Sequence, residues 1–169
     1  MTLDIQPETM HKTDFCSDPA LVVKALDTLK KRLPETFAEY NSLVEEYKFD
    51  RSAVDQAMVE KGICTEPELL KIYSEAFNLN IPDEDNLATP ERFPGISADY
   101  LSENSMIPAE WDDNTVKIYT ADPYKLERNA YIVKCQLKRS MEFLLIRRTL
   151  LERLVNNVYK DVEEDVAIN

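Results

Sequence analysis

Hydrophobic residues in the first half of the chain recur three and four positions apart, which is the spacing of an amphipathic helix. Residues that cap or end helices divide this pattern into four segments: Asp18-Pro19, Pro34, Asp50, Gly62, Thr65 and Asn78. In the third segment Val54, Ala57 and Met58 are predicted to face inward. The pattern therefore predicts four helices in succession.

The period changes after Ser97, which is placed to cap one short helical turn. Residues 106–111, 115–120 and 141–147 are predicted to be strands, with a helix between the second and the third. Turn-forming or capping residues lie between these segments: Asp112-Asp113-Asn114, Asp122-Pro123 and a capping box at Thr149. The last two strands and their helix predict a split crossover unit, expected to be right-handed.

The order of elements predicts an α+β fold, in which a helical N-terminal subdomain precedes a small β-β-α-β-α two-layer module. A segment with three prolines and several acidic residues separates the two and is typical of a linker. The predicted parts are a flexible leader (1–17), the helical subdomain (18–80), the linker (81–96), the module (97–160) and an acidic tail or interdomain linker (161–169).

Charge is unevenly distributed along the chain. The 20 basic and 32 acidic residues give a net charge of −12, which disfavours contact with nucleic acid or anionic lipid. Residues 1–100 carry a net charge of −10, whereas residues 117–160 carry 10 basic and 4 acidic groups, a net charge of +6. The basic segment is either a solvated helix face or a docking patch for an acidic partner.

No catalytic or cofactor-binding motif is present in the sequence. Its two glycines cannot form a Walker A loop, and the single histidine, His11, argues against a histidine-based triad or metal site. The cysteines Cys16, Cys64 and Cys135 form no CxxC motif. The sequence has no secretory signal and no apolar run long enough to span a membrane. An enzyme with a pair of acids needs a cleft with shifted carboxylates, for which the sequence offers no sign.

Three stretches resemble the N-terminal domains of secretion and pilus-assembly ATPases. Residues 58–83 are similar to that family's pattern of a helix, Gly, Ile, Thr/Ser-x-x-Glu-Leu-Leu and Leu-x-Ile-Pro. The strand 116–120, followed by Ala121-Asp122-Pro123, and the stretch 143–159 are similar to its later strands and closing helix. The resemblance covers about residues 50–160 and points to the E component of a type II secretion or type IV pilus system.

This resemblance implies a non-catalytic adaptor for protein transport. In that family the domain precedes a hexameric motor and docks it onto the cytoplasmic domain of an inner-membrane platform protein. The implied partners are this platform protein and the C-terminal ATPase domain of the same parent chain, with no nucleic acid and no direct membrane insertion. The implied location is cytoplasmic and peripheral to the inner membrane, and ATP binding belongs to the parent chain only.

Cyclic di-GMP sensing stays open as the alternative function. A related subfamily binds this dinucleotide through a motif that begins Arg-Leu-Gly, shortly before the glycine that aligns with Gly62. Ala53, Val54 and Asp55 hold those three positions here, so the arginine is absent and a carboxylate adds repulsion. No cofactor and no nucleotide-binding residue is therefore predicted.

Two sets of residues are candidates for docking a partner. The second helix offers the aromatic residues Phe37, Tyr40 and Tyr47. The third strand is flanked by the basic residues Lys138, Arg139, Arg147 and Arg148. Because exposed charges contribute little to stability, reversing the charges of Arg147 and Arg148 is expected to weaken docking more than folding.

Overall fold

The computed structural model describes residues 19–48 and 50–160. Its first part, here called the helical front, contains four helices: α1 (Pro19–Arg32), α2 (Phe37–Glu46), α3 (Arg51–Glu60) and α4 (Glu66–Phe77). The caps predicted at Asp50 and Thr65 are confirmed: the Asp50 carboxylate accepts a hydrogen bond from the N–H of Ala53 at 3.1 Å, and the Thr65 hydroxyl accepts one from the N–H of Glu68 at 3.2 Å. The cap predicted at Asp18 lies outside the described residues. Asn78 ends α4 with a positive φ of 55°. The leader and the acidic tail lie outside the described residues.

The second part, here called the module, begins with helix α5. Its elements are α5 (Ala98–Asn104), β1 (Met106–Trp111), β2 (Thr115–Thr120), α6 (Leu126–Ile132), β3 (Ser140–Leu145) and α7 (Arg148–Val155). Short 3-10 turns occupy Pro34–Thr36, Glu84–Asn86 and Pro123–Lys125, and π turns follow α6 (Val133–Leu137) and α7 (Asn156–Lys160). The predicted α+β fold is confirmed.

The sheet has the strand order β1-β2-β3. Strands β1 and β2 form the predicted antiparallel hairpin, and β2 pairs with β3 in parallel from Thr115 opposite Ser140 to Thr120 opposite Leu145. The crossover through α6 therefore joins two neighbouring strands, and the prediction of a split unit is wrong. The largest apolar cluster of the described residues lies between this sheet, α5, α6 and α7.

Residues 78–97, here called the connecting segment, pack against the module. Phe93 is buried, and the centroid of its ring lies 4.9 Å from that of Trp111. Its backbone N–H donates to the Tyr159 hydroxyl at 2.9 Å. The Leu145 N–H donates to the Asn80 carbonyl at 2.9 Å. The segment thus follows the surface of the module, even though its prolines and acids are typical of a free linker.

The start of α7 differs from the prediction. The helix begins at Arg148 rather than behind an N-cap at Thr149, and β3 ends at Leu145. The N–H and the hydroxyl of Thr149 both donate to the Glu66 carboxylate, at 3.3 and 2.8 Å. The cap is therefore supplied by α4 of the helical front. Across the described chain, no helix combines the length and the apolarity that a membrane span requires.

Candidate functional site

A cleft of about 260 Å³ lies where the helical front meets the module. Its walls come from α3, α4, the Ala121-Asp122 step and the start of α7. Five acidic residues line it, and two of them are almost fully buried: Asp55 is 3% exposed and Asp122 is 2% exposed. Buried carboxylates need hydrogen-bond partners, and each has them here.

Asp122 connects the module to α3. One carboxylate oxygen accepts from the Tyr124 N–H at 3.1 Å, which is the predicted cap, and the other accepts from the Ser52 hydroxyl at 2.5 Å. Burial raises the pKa of Asp122, while the Ser52 hydrogen bond and the charge of Lys125 act in the opposite direction. Asp122 therefore joins two parts of the chain that are 70 residues apart in sequence.

Asp55 lies on α3, one helical turn after Ser52. Its carboxylate accepts a hydrogen bond from the Tyr73 hydroxyl of α4. Burial raises the pKa of Asp55 to about 7, and the neighbouring charge of Asp122 acts in the same direction, whereas hydrogen bonds from Tyr73 and Tyr124 lower it. Near neutral pH this buried acid therefore exists in both protonation states.

Aromatic rings lie beside the two carboxylates in the contact between the helical front and the module, here called the joint. Tyr124 from the module makes edge contacts with Tyr73 and Phe77 of α4, with ring centroids 5.8 and 5.3 Å apart. Leu145 from β3 packs into the same cluster. The joint is thus a mixed apolar and hydrogen-bonded contact between the front and the module.

A cleft with two shifted carboxylates is the arrangement that an acid-pair enzyme requires, and sequence reasoning missed it. Its members are nevertheless engaged in structural bonds, and no histidine lies among residues 19–48 and 50–160 to act as a base for Ser52. The available signal was the position of Asp55 on the inward side of α3, between Val54 and Met58. The arrangement therefore fits a structural contact between the helical front and the module better than it fits an active site.

Arg147 and Arg148 lie together at the cleft, and both are engaged within the chain. Arg147 forms a bidentate ion pair with Glu84, since its Nε and Nη2 donate to the two carboxylate oxygens at 2.6 and 2.8 Å. Its Nη1 lies 3.7 Å from a carboxylate oxygen of Glu66. The guanidinium of Arg147 lowers the pKa of Glu84. The Gln56 amide oxygen, oriented toward Arg148, accepts from its guanidinium at 2.5–3.1 Å. Arg147 and Arg148, expected to be exposed charges, are therefore half-buried and have partners within the chain.

Lys138 and Arg139 lie at the opposite end of β3 from Arg147. Arg139 donates to the carbonyls of Asp112 and Leu137, at 2.6 and 3.0 Å, and stacks on the Phe93 ring at 5.2 Å. Lys138 is exposed and takes a positive φ of 54°. Of these four basic residues, Lys138 has the most accessible charge.

The three aromatic candidates on the helical front differ in exposure. Tyr40 is 2% exposed, because it lies in the core of the helical front, so it offers no surface to a partner. Phe37 is half-buried and stacks on Tyr40, with ring centroids 6.5 Å apart. Tyr47, 39% exposed, is the accessible member of the set.

Fold and joint together define a domain in which a helical front is fastened to a small α+β module. The chain belongs to the MshEN domain family, which matches residues 76–165. The predicted resemblance to the N-terminal, non-catalytic domains of secretion ATPases is confirmed.

Solved structures share this fold at low sequence identity. The N-terminal domain of XpsE is 18% identical with a TM-score of 0.65, covering 85% of this chain and 99% of that one. A second crystal form of that domain is 17% identical with a TM-score of 0.50, covering 70% and 92%. MshE with cdg, cyclic di-GMP, is 14% identical with a TM-score of 0.59, covering 80% and 98%. No curated protein matches the chain.

Proposed function

We propose that this domain is the docking adaptor of a secretion ATPase, joining a motor domain of the same parent chain to the cytoplasmic domain of an inner-membrane platform protein. Membership of the MshEN family is the observation that carries the proposal. In this proposal the domain works in protein export at the cytoplasmic face of the inner membrane, where the partner holds it. The division into helical subdomain, linker and module is part of the same proposal.

The joint supports this function because an adaptor must transmit position and force without coming apart. The contacts between the front and the module include the hydrogen bonds from Ser52 to Asp122 and from Thr149 to Glu66, and the packing of Tyr124 on Tyr73 and Phe77. Close-packed contacts of this kind resist deformation. A partner that binds the module therefore also positions the helical front.

Calorimetric titration of the chain with the cytoplasmic domain of the platform protein from the same secretion system tests this function. We expect a saturable 1:1 heat signal with a micromolar or tighter dissociation constant. The charge-reversed double variant K61E/K71E, which changes two exposed lysines of the helical front, should bind as the wild type does and serves as the control. Absence of binding at concentrations well above micromolar contradicts the proposal.

Cyclic di-GMP sensing is the second candidate, and the likeness to MshE solved with cdg supports it. The positions that correspond to the subfamily's Arg-Leu-Gly speak against it. Val54 and Asp55 are buried there, and Asp55 faces Tyr73 rather than solvent. A ligand that binds only the folded state raises the melting temperature, so a flat thermal-shift titration with cyclic di-GMP would remove this candidate.

A further inference from the structure

Helix α6 and the π turn behind it have one buried face and one open face. Asn129, Val133 and Leu137 point into the module and are buried. The open face consists of Tyr131, Lys134, Cys135 and Lys138, all of them exposed. This set is called the α6 face below.

Tyr131 is the most conspicuous member of the α6 face, since its side chain is 70% exposed. The other two exposed large hydrophobic residues of the described chain, Tyr47 and Ile81, are each 39% exposed. A tyrosine ring presents a large contact area at low entropic cost and is enriched among residues that dominate binding energy at interfaces.

The two lysines give the α6 face a charge opposite to that of the chain as a whole. Neither Lys134 nor Lys138 takes part in an ion pair found among the described residues. They belong to the segment 117–160 with its net charge of +6, in a chain whose total is −12. Such a face attracts acidic surfaces and turns away basic ones.

The α6 face spans the end of α6 and the π turn behind it. Tyr131 lies in the last turn of α6, Lys134 and Cys135 lie in the π turn, and Lys138 ends that turn with a positive φ of 54°. The Lys138 N–H donates to the Val133 carbonyl at 3.1 Å, five residues back, and closes the π turn.

We propose that the α6 face is the surface that docks the platform protein, and that the partner presents an acidic surface with an apolar recess for the Tyr131 ring. This inference rests on the proposed function and specifies its site. In this inference Lys134 and Lys138 take the place of Arg147 and Arg148 as the basic residues of the docking site. The charges of the two arginines have partners within the chain, whereas those of the two lysines are available. The lysines steer the encounter and the tyrosine anchors it.

Calorimetry with the platform domain and two α6-face variants of the full chain tests the proposal. K134E/K138E and Y131A are each expected to weaken binding at least tenfold, because one reverses the steering charge and the other removes the anchor. K61E/K71E carries the same charge change at two exposed positions, one directly after α3 and one in α4, and Y47A removes an exposed tyrosine from the other candidate surface. Both controls should stay within twofold of the wild type.

Cys135 supplies a readout of position that does not depend on affinity. It is exposed on the α6 face, whereas Cys64 is buried. In a C16S variant, saturating platform domain should slow the maleimide labelling of Cys135 at least fivefold. Melting curves of each variant confirm that the exposed substitutions leave the fold intact.

The outcomes separate the site from the function. If the wild type binds and the α6-face variants bind equally well, with Cys135 unprotected, the site is wrong and the proposed function stands. If the wild type does not bind, both fall. If sedimentation instead shows that K134E/K138E abolishes self-association of the chain, the occupant is the acidic front of a second copy and the platform assignment is overturned.

Discussion

The Ser52 hydroxyl donates to the Asp122 carboxylate at 2.5 Å and so links the first turn of α3 to the turn that follows β2. Asp122 is buried, and a buried carboxylate that loses a donor bears part of its desolvation cost uncompensated. This single hydrogen bond therefore stabilises the packing of the helical front against the module.

Replacing Ser52 by alanine is expected to lower the free energy of unfolding by about 1–3 kcal/mol, because the Asp122 carboxylate stays buried without that donor. Urea denaturation at pH 7 measures the change. Ser42→Ala is the matched control, since its hydroxyl donates to the Ala38 carbonyl at an exposed position, and it should be nearly neutral. Equal losses in the two variants would contradict a special role for the Ser52 contact.

Asp55 makes stability depend on pH. Its pKa rises from 3.8 in the unfolded chain to about 7 in the folded protein, because burial disfavours the charged form. The folded state thus retains a proton that the unfolded state releases, and stability should fall as the pH rises from about 4 to about 7. Above that range the contribution levels off.

Asp55→Asn removes the titrating group and keeps an oxygen that can accept from Tyr73. Relative to the wild type, the variant should therefore gain stability between pH 5 and pH 8. Asp122 titrates in the same direction and remains in both proteins, and Tyr73, Tyr124 and Arg51 are the other groups facing Asp55. Chemical denaturation at the two pH values measures the gain, and parallel pH profiles would show that Asp55 does not cause the slope.

Arg147→Glu is expected to destabilise the fold by about 1–2 kcal/mol, since it removes a two-pronged pair and places a carboxylate against Glu84 and Glu66. Thermal and urea unfolding at low ionic strength measure the effect. The charge-swapped double variant E84R/R147E should recover part of the loss. A double variant no more stable than R147E alone would mean that the pair contributes nothing.

Glu66→Ala should destabilise the start of α7 by about 0.5–2 kcal/mol, because the Thr149 N–H and hydroxyl lose their shared acceptor. Hydrogen exchange of the Thr149 amide is the local measurement, and exchange should accelerate. Glu68→Ala is the control within the same helix turn, at an exposed position. Unchanged protection of Thr149 would argue that water already satisfies this end of the helix.

Local features were predictable from the sequence because they depend on residues a few positions apart. The caps at Asp50 and Thr65, the end of α4 at Asn78 and the strands 106–111 and 115–120 all follow from short-range spacing. The same holds for the Asp122 cap, whose acceptor and donor are two residues apart.

Features that depend on distant partners were not predictable. Thr149 is capped by Glu66, 83 residues away, so its own capping box is not used. The connecting segment packs because Phe93 meets Trp111 and Tyr159. The acid pair at the cleft exists only because folding brings Asp55 beside Asp122. Long-range contacts of this kind leave no periodic signal in the chain.

Both edges of the small sheet are blocked, with a consequence for how other chains can attach. Pro108 in β1 lacks an N–H and lies at a register shift, and Asn80 bridges to Leu144 along the outer side of β3. An incoming strand therefore finds neither edge ready to extend the ladder. The domain is thereby protected against fibril-like growth through its sheet, and its helix faces remain the surfaces open to other chains.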